Sequence, residues 1–145
     1  MIIGHAGFAL LAKRARPTVS LAVLVVAAYG ADIVEMAFRA VHNYNRMLSH
    51  SLVSIGIMAT VTAVTYLVAT HKWGDAAVVW AMYVSHWPAD FITGVKPTWP
   101  GGPELGLMFY DHPYEEAFFE LLLVTVCFLV YWRGRPRRTV TSSVT

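Results

Sequence analysis

His86 and Asp90 stand four residues apart in Ser85-His86-Trp87-Pro88-Ala89-Asp90, inside an otherwise apolar segment. On a helix, residues i and i+4 share a face, so this imidazole and this carboxylate would point at the same place. His112 and Glu116 repeat the spacing in Asp111-His112-Pro113-Tyr114-Glu115-Glu116. Imidazole plus carboxylate at this spacing is how helices build Zn²⁺ or Mn²⁺ sites. The bland alternative for either pair is a hydrogen-bonded polar cluster. Two such pairs, each at the mouth of a hydrophobic segment, favour the metal.

The elements that must position these residues follow from composition and hydropathy. The chain has 145 residues, of which 57% are hydrophobic and 14% charged. A soluble domain is nearer a quarter charged, so the balance indicates a membrane protein. The expected fold class is all-α, a polytopic helical membrane bundle of four spans preceded by a short N-terminal half-span helix. Residues 18–38 form the first span, interrupted by Asp32 and Glu35. Residues 52–70 form the second, without charge. Residues 75–93 form the third, with Pro88 kinking it beside His86 and Asp90. Residues 94–113 read as a Gly/Pro-rich loop. Residues 114–132 form the fourth, opening on Glu115, Glu116 and Glu120. Pro17 breaks the chain and can start the first span. Residues 1–132 thus read as one membrane-embedded domain, and 133–145 as a basic, then Ser/Thr-rich, disordered tail. A secretory leader with Lys13–Arg16 as its charged region is disfavoured by the apolar stretch ahead of it.

Charge sets the orientation. Lys13, Arg14, Arg16, Lys72, Arg133, Arg135, Arg137 and Arg138 fall on one side of such a bundle, and Arg39, Arg46 and Lys96 on the other. Both termini are therefore expected in the cytoplasm and the protein in the cell (inner) membrane. Every acid except Asp75 then lies toward the non-cytoplasmic face. On this topology Asp32, His50, His86, Asp90, His112 and Glu116 come from four elements yet gather at that face. His5 joins them if residues 2–12 rise from the cytoplasmic side as a helix of about 16 Å, roughly half the hydrocarbon core. The expected metal ligands are thus His5, Asp32, His50, His86, Asp90, His112 and Glu116. Intramembrane ionisable groups need a partner, and a divalent ion supplies one. Two close metals favour hydrolysis of a phosphoester.

Other polar residues take plainer readings. His71, beside Lys72 and Trp73, is an interfacial anchor; His42 is ambiguous; Glu35 and Arg39 form an i,i+4 ion pair. Trp73, Trp87, Trp99, Tyr110, Tyr114, Tyr131 and Trp132 read as belt residues. Cys127, the sole cysteine, excludes an internal disulfide and reads as a buried thiol. The basic tail meets anionic lipid, and no nucleic acid is expected as a partner.

His5, Asp32, the stretch Arg46-Met47-Leu48-Ser49-His50-Ser51 and His86-x-x-x-Asp90 before a Gly/Pro-rich segment resemble the YdjM-type family of membrane-bound metal-dependent hydrolases. Where that family often has His-Arg, this chain has Asn45-Arg46. The order His, Asp, His, His-x-x-x-Asp, His-x-x-x-Glu is also similar to that of zinc-dependent phospholipases C and related zinc nucleases. That similarity implies that Asp32, His50, His86 and Asp90 hold one or two metals, His112 and Glu116 another, and His5 a third. Soluble members carry one more His after the Asp of the first pair; here Lys96 lies in that region. Two zinc ions, with room for a third and Mn²⁺ as the alternative, are therefore expected.

The expected function is metal-dependent hydrolysis of a phospholipid or other lipid-linked phosphate reached from the bilayer. Asp32 is the expected bridging ligand or general base, and Arg46 the residue that holds a phosphate oxygen, with Lys96 as a weaker candidate. The alternatives are a non-catalytic metal-stabilised membrane protein and a small transporter subunit. Apolar faces such as 55–68 allow a homo-oligomer.

Overall fold

The computed structural model describes residues 3–41 and 46–134. His42 and the tail 135–145 lie outside the described residues. The fold is all-α apart from one small hairpin. Its elements run α1 (Gly4–Ala15), α2 (Leu21–Ala28), α3 (Gly30–Ala40), α4 (Arg46–His50), α5 (Leu52–Thr70), α6 (Trp73–Val84), α7 (His86–Thr93), β1 (Lys96–Pro97), β2 (Glu104–Leu105) and α8 (Pro113–Arg133). Helix α1 lies against α8 on one side and α2 on the other; α6 packs on α2 and on α5.

The expected spans are more broken than hydropathy alone suggested. Span one divides at Tyr29, where α2 and α3 meet at a 60° bend. It starts not at Pro17 but at Leu21, where the Ser20 hydroxyl accepts the Val23 N–H at 3.1 Å. Span three divides at Ser85 rather than at Pro88. Pro88 falls in the first turn of α7, where a missing N–H costs little. Among the described residues α5 alone is long and apolar enough to cross a membrane, and the bent α2–α3 pair is a second such element if it acts as one span. Helix α8 is long enough but carries Glu115, Glu116, Glu120 and Arg133.

The interior is built from small residues. Eight of the fifteen buried apolar residues among those described are alanine, and this lets the helix backbones approach closely. Ala9, Leu24, Ala27, Ala28, Val79 and Met82 join α1, α2 and α6; Ala31, Ile55, Ala59 and Tyr83 join α3, α5 and α6. The large side chains point outward instead, among them Ile57, Val61, Val68, Phe118, Leu121 and Val126. In α5 the hydroxyls of Thr60, Thr62, Thr65 and Thr70 each donate at 2.8 Å to the carbonyl four residues back. No hydroxyl of these four is left needing water.

One end of the bundle is basic. Arg14 donates to the Val130 carbonyl near the C-terminal end of α8. Arg16 and Thr18 both hold Asp75 at 2.8 Å at the start of α6. The acid–histidine cluster lies at the other end of these helices.

Candidate metal centre

Four local features carry histidines and carboxylates to one point. At the start of α1 the backbone N–H groups of Ile3 and Gly4 donate to Glu120 Oε2 at 2.6 and 3.0 Å. This buried carboxylate caps the helix and sets His5 inside the bundle. At the α2–α3 break, Gly30 meets the ring of Tyr83: a Cβ there would lie 2.1 Å from Cε2. The bend thereby turns Asp32 and Glu35, both on α3, toward the cluster. His50 ends α4, one residue before Ser51 caps α5. The break at Ser85 starts α7, and the i,i+4 pair His86 and Asp90 lies within one helix.

The geometry is that of a ligand set with its outer supports in place. His86 Nδ1 lies 2.9 Å from the Ala28 carbonyl, an acceptor only, so Nδ1 carries the proton. Its Nε2 then offers a lone pair, 3.3 Å from Asp90 Oδ2 and 3.7 Å from Asp32 Oδ1. His50 Nδ1 faces Glu35 Oε2 at 3.2 Å and Ser49 Oγ at 2.8 Å. Its Nε2 faces Asp32 Oδ1 at 3.2 Å and Asp90 Oδ2 at 3.8 Å. His5 stacks on His86 with ring centroids 4.2 Å apart, and its Nε2 is 3.4 Å from Asp90 Oδ1. A histidine whose far nitrogen is fixed by a carbonyl or carboxylate is the usual supporting arrangement of a metal ligand.

Three overlapping groups have ligand atoms within 4.8 Å of one another: His5, Asp32 and His86; His50, His86 and Asp90; and Asp32, Glu35 and His50. These residues fit a divalent cation. Both ring nitrogens of His5 and Nε2 of His86 are buried without a well-formed hydrogen bond, the two Nε2 atoms having Asp90 oxygens at 3.4 and 3.3 Å, and such groups are rarely left so poorly paired. Neutral imidazole nitrogens and carboxylate oxygens are also the donor set that zinc and manganese sites use. The three carboxylates face Lys96, 2.8 Å from Asp90 Oδ2, and Arg39, 2.6 Å from Glu35 Oε1, leaving one net negative charge with the imidazoles neutral. The cluster is closed on most sides; Asp32, with its side chain 40% exposed, is its open edge.

No family model, curated protein or solved structure matches this chain.

The structure thus brings together His5, Asp32, His50, His86 and Asp90, but not the second expected pair. His112 precedes α8 in a non-helical conformation, its side chain 69% exposed and 4.0 Å from Glu115. Glu116 is buried against Glu120 on the wall of a separate cavity of about 350 Å³. Neither belongs to any of the three groups. The i,i+4 logic fails here because His112 is not in the helix. Arg46 opens α4, and its side chain lies outside the described residues. Glu35 was missed as a member of the cluster because its ion pair with Arg39, which does form, gave it a sufficient role. Its i,i+3 spacing from Asp32 was the available signal. Glu120 as the cap of α1 had no local signal, since its partners lie 116 and 117 residues away.

Proposed function

We propose that the chain is a membrane-embedded, metal-dependent phosphoester hydrolase acting on a phospholipid or other lipid-linked phosphate. The observation that carries this reading is the convergence of three buried histidines with Asp32 and Asp90, drawn from four helices, with ring nitrogens that make no well-formed hydrogen bond. The membrane reading is supported by the inverted distribution of side-chain size, and by α5, whose apolar window is only 17% buried inside the protein. A core helix of a soluble protein would be mostly buried. In this reading α2–α3, α5, α6–α7 and α8 are four spans, α1 is a half-span, and the basic end faces the cytoplasm. The resemblance to YdjM-type hydrolases points the same way.

Two zinc ions, with manganese as the alternative, account for the overlapping groups. His5, His86 and Asp90 would hold one ion and His50 and Asp32 the other, with Glu35 behind His50. Divalent ions at such a centre polarise a phosphoryl oxygen and lower the pKa of water. The protein's own groups do the rest. Ala28 and Glu35 hold His86 and His50 in the right tautomer. The helices exclude bulk water. Asp32, at the open edge, would take a proton from the water whose oxygen bonds to phosphorus and return it to the leaving oxygen as that oxygen's bond to phosphorus breaks.

The test is turnover of short-chain phosphodiesters and phosphatidate by purified protein, with and without chelator. Activity lost with chelator and in His86→Ala supports the proposal. Retained metal with no turnover on either substrate would assign the site a structural role instead.

A further inference from the structure

Lys96 is a buried ammonium at the metal cluster. It is 5% exposed, yet its one described polar contact is to Asp90 Oδ2 at 2.8 Å. An ammonium has three N–H donors, so one contact leaves donors to use. Asp90 Oδ2 is also the oxygen nearest His86 Nε2, at 3.3 Å, and it faces His50 Nε2. Lys96 therefore stands one carboxylate oxygen from the point where the histidines converge.

Its position is fixed by the hairpin that carries it. Lys96 pairs with Leu105 across β1 and β2. The Leu107 N–H donates to the Phe91 carbonyl at 2.8 Å, and the Val53 N–H to the Thr98 carbonyl at 3.3 Å. The hairpin is thus tied to α7 and to α5. Gly106 lies so close to Gly94 that a Cβ would sit 1.7 Å from the Gly94 carbonyl oxygen. A lysine held this firmly by backbone contacts is aimed rather than free to seek a partner.

We propose that Lys96 is the anion-binding residue of the site, holding a phosphoryl oxygen next to the metal ligands while Asp90 turns to the ion. The inference rests on the metal-site reading above and deepens it by assigning the recognition of the substrate's charge. A compact ammonium beside divalent cations is repelled by them unless an anion lies between; once Asp90 turns to the ion, a phosphoryl group is the anion that takes this place. The same cation competes with the metal for Asp90. Its removal should therefore weaken anion binding and tighten metal binding, two effects of opposite sign. A lysine that only pins Asp90 in place would weaken both.

The experiment uses the full chain in detergent, loaded with zinc, as wild type, Lys96→Met and Lys96→Arg. Metal affinity is read by competition with a chromophoric chelator. Anion affinity is read by calorimetric titration with inorganic phosphate and, separately, with short-chain phosphatidate in micelles. The expected result is that Lys96→Met keeps zinc as tightly as wild type or more so, loses at least tenfold in affinity for the phosphoryl ligand, and that Lys96→Arg recovers part of that loss. An effect on phosphatidate alone identifies a lipid headgroup as the source of the anion; an effect on both identifies the phosphoryl group itself. Phosphate and phosphatidate affinities within twofold of wild type in zinc-loaded Lys96→Met would overturn the assignment while the hydrolase reading stands. Loss of zinc from Lys96→Met would overturn it in favour of a pinning role. Absence of zinc from the wild type would overturn both.

Discussion

The Lys96–Asp90 pair makes a prediction that needs no metal. Both side chains are buried, 7% and 5% exposed, with Nζ and Oδ2 2.8 Å apart. Removing either partner leaves the other charge in a site screened from water. Asp90→Asn leaves a buried ammonium without its carboxylate; Lys96→Met leaves a carboxylate whose neighbours are His5, His50 and His86. Breaking a buried pair in this way costs about 3–5 kcal/mol, whereas replacing both partners by neutral groups is often nearly neutral. A typical stability is about 5–15 kcal/mol, so each single variant should lose a large part of it. The assay is unfolding of chelator-treated, detergent-solubilised protein by denaturant, followed by tryptophan fluorescence. The double variant should be no less stable than the worse single variant, giving a coupling of at least about 3 kcal/mol. Additive losses, with the double variant as unstable as the sum of the two, would refute the idea that these charges stabilise each other.

Three further outcomes are expected. Glu120→Ala leaves the Ile3 and Gly4 N–H groups without their acceptor; it should cost about 1–3 kcal/mol and, by loosening His5, weaken zinc affinity about 10–100-fold in a chelator competition, although Glu120 is not a ligand. Gly30→Ala places a methyl group against the Tyr83 ring and should destabilise by about 1–3 kcal/mol, with partial recovery in Gly30→Ala/Tyr83→Leu when both are melted side by side. His112→Ala should leave zinc content unchanged by elemental analysis, since that side chain is exposed and apart from the cluster.

Much of the site was legible because its residues announce themselves by type. An imidazole and a carboxylate four apart in an apolar segment have few reasons to be there, and His86 and Asp90 do lie on one short helix. Asp32, His50 and His5 were found by following an expected topology, in which alternating spans would carry their ends to one face, and the structure sets these three beside His86. What was not legible depended on where helices start and stop. His112 and Glu116 have the same spacing as His86 and Asp90, but α8 begins at Pro113, so His112 falls outside the helix that would have aligned it. Pro88 seemed to mark the break in the third span, yet the chain breaks at Ser85, because proline is tolerated in a first turn. The bend at Tyr29 depends on Gly30 meeting Tyr83, a contact between residues far apart in the sequence. Glu120 is likewise explained only by the helix it caps.

The most direct test of the metal centre is elemental analysis of detergent-purified protein after reconstitution with Zn²⁺ or Mn²⁺, comparing wild type, His86→Ala and His112→Ala. Two metal ions per chain are expected in the wild type and in His112→Ala, with loss in His86→Ala, since His86 belongs to two of the three ligand groups. Wild-type protein that binds neither metal, or His86→Ala that binds both ions as well as the wild type does, would contradict the centre described here.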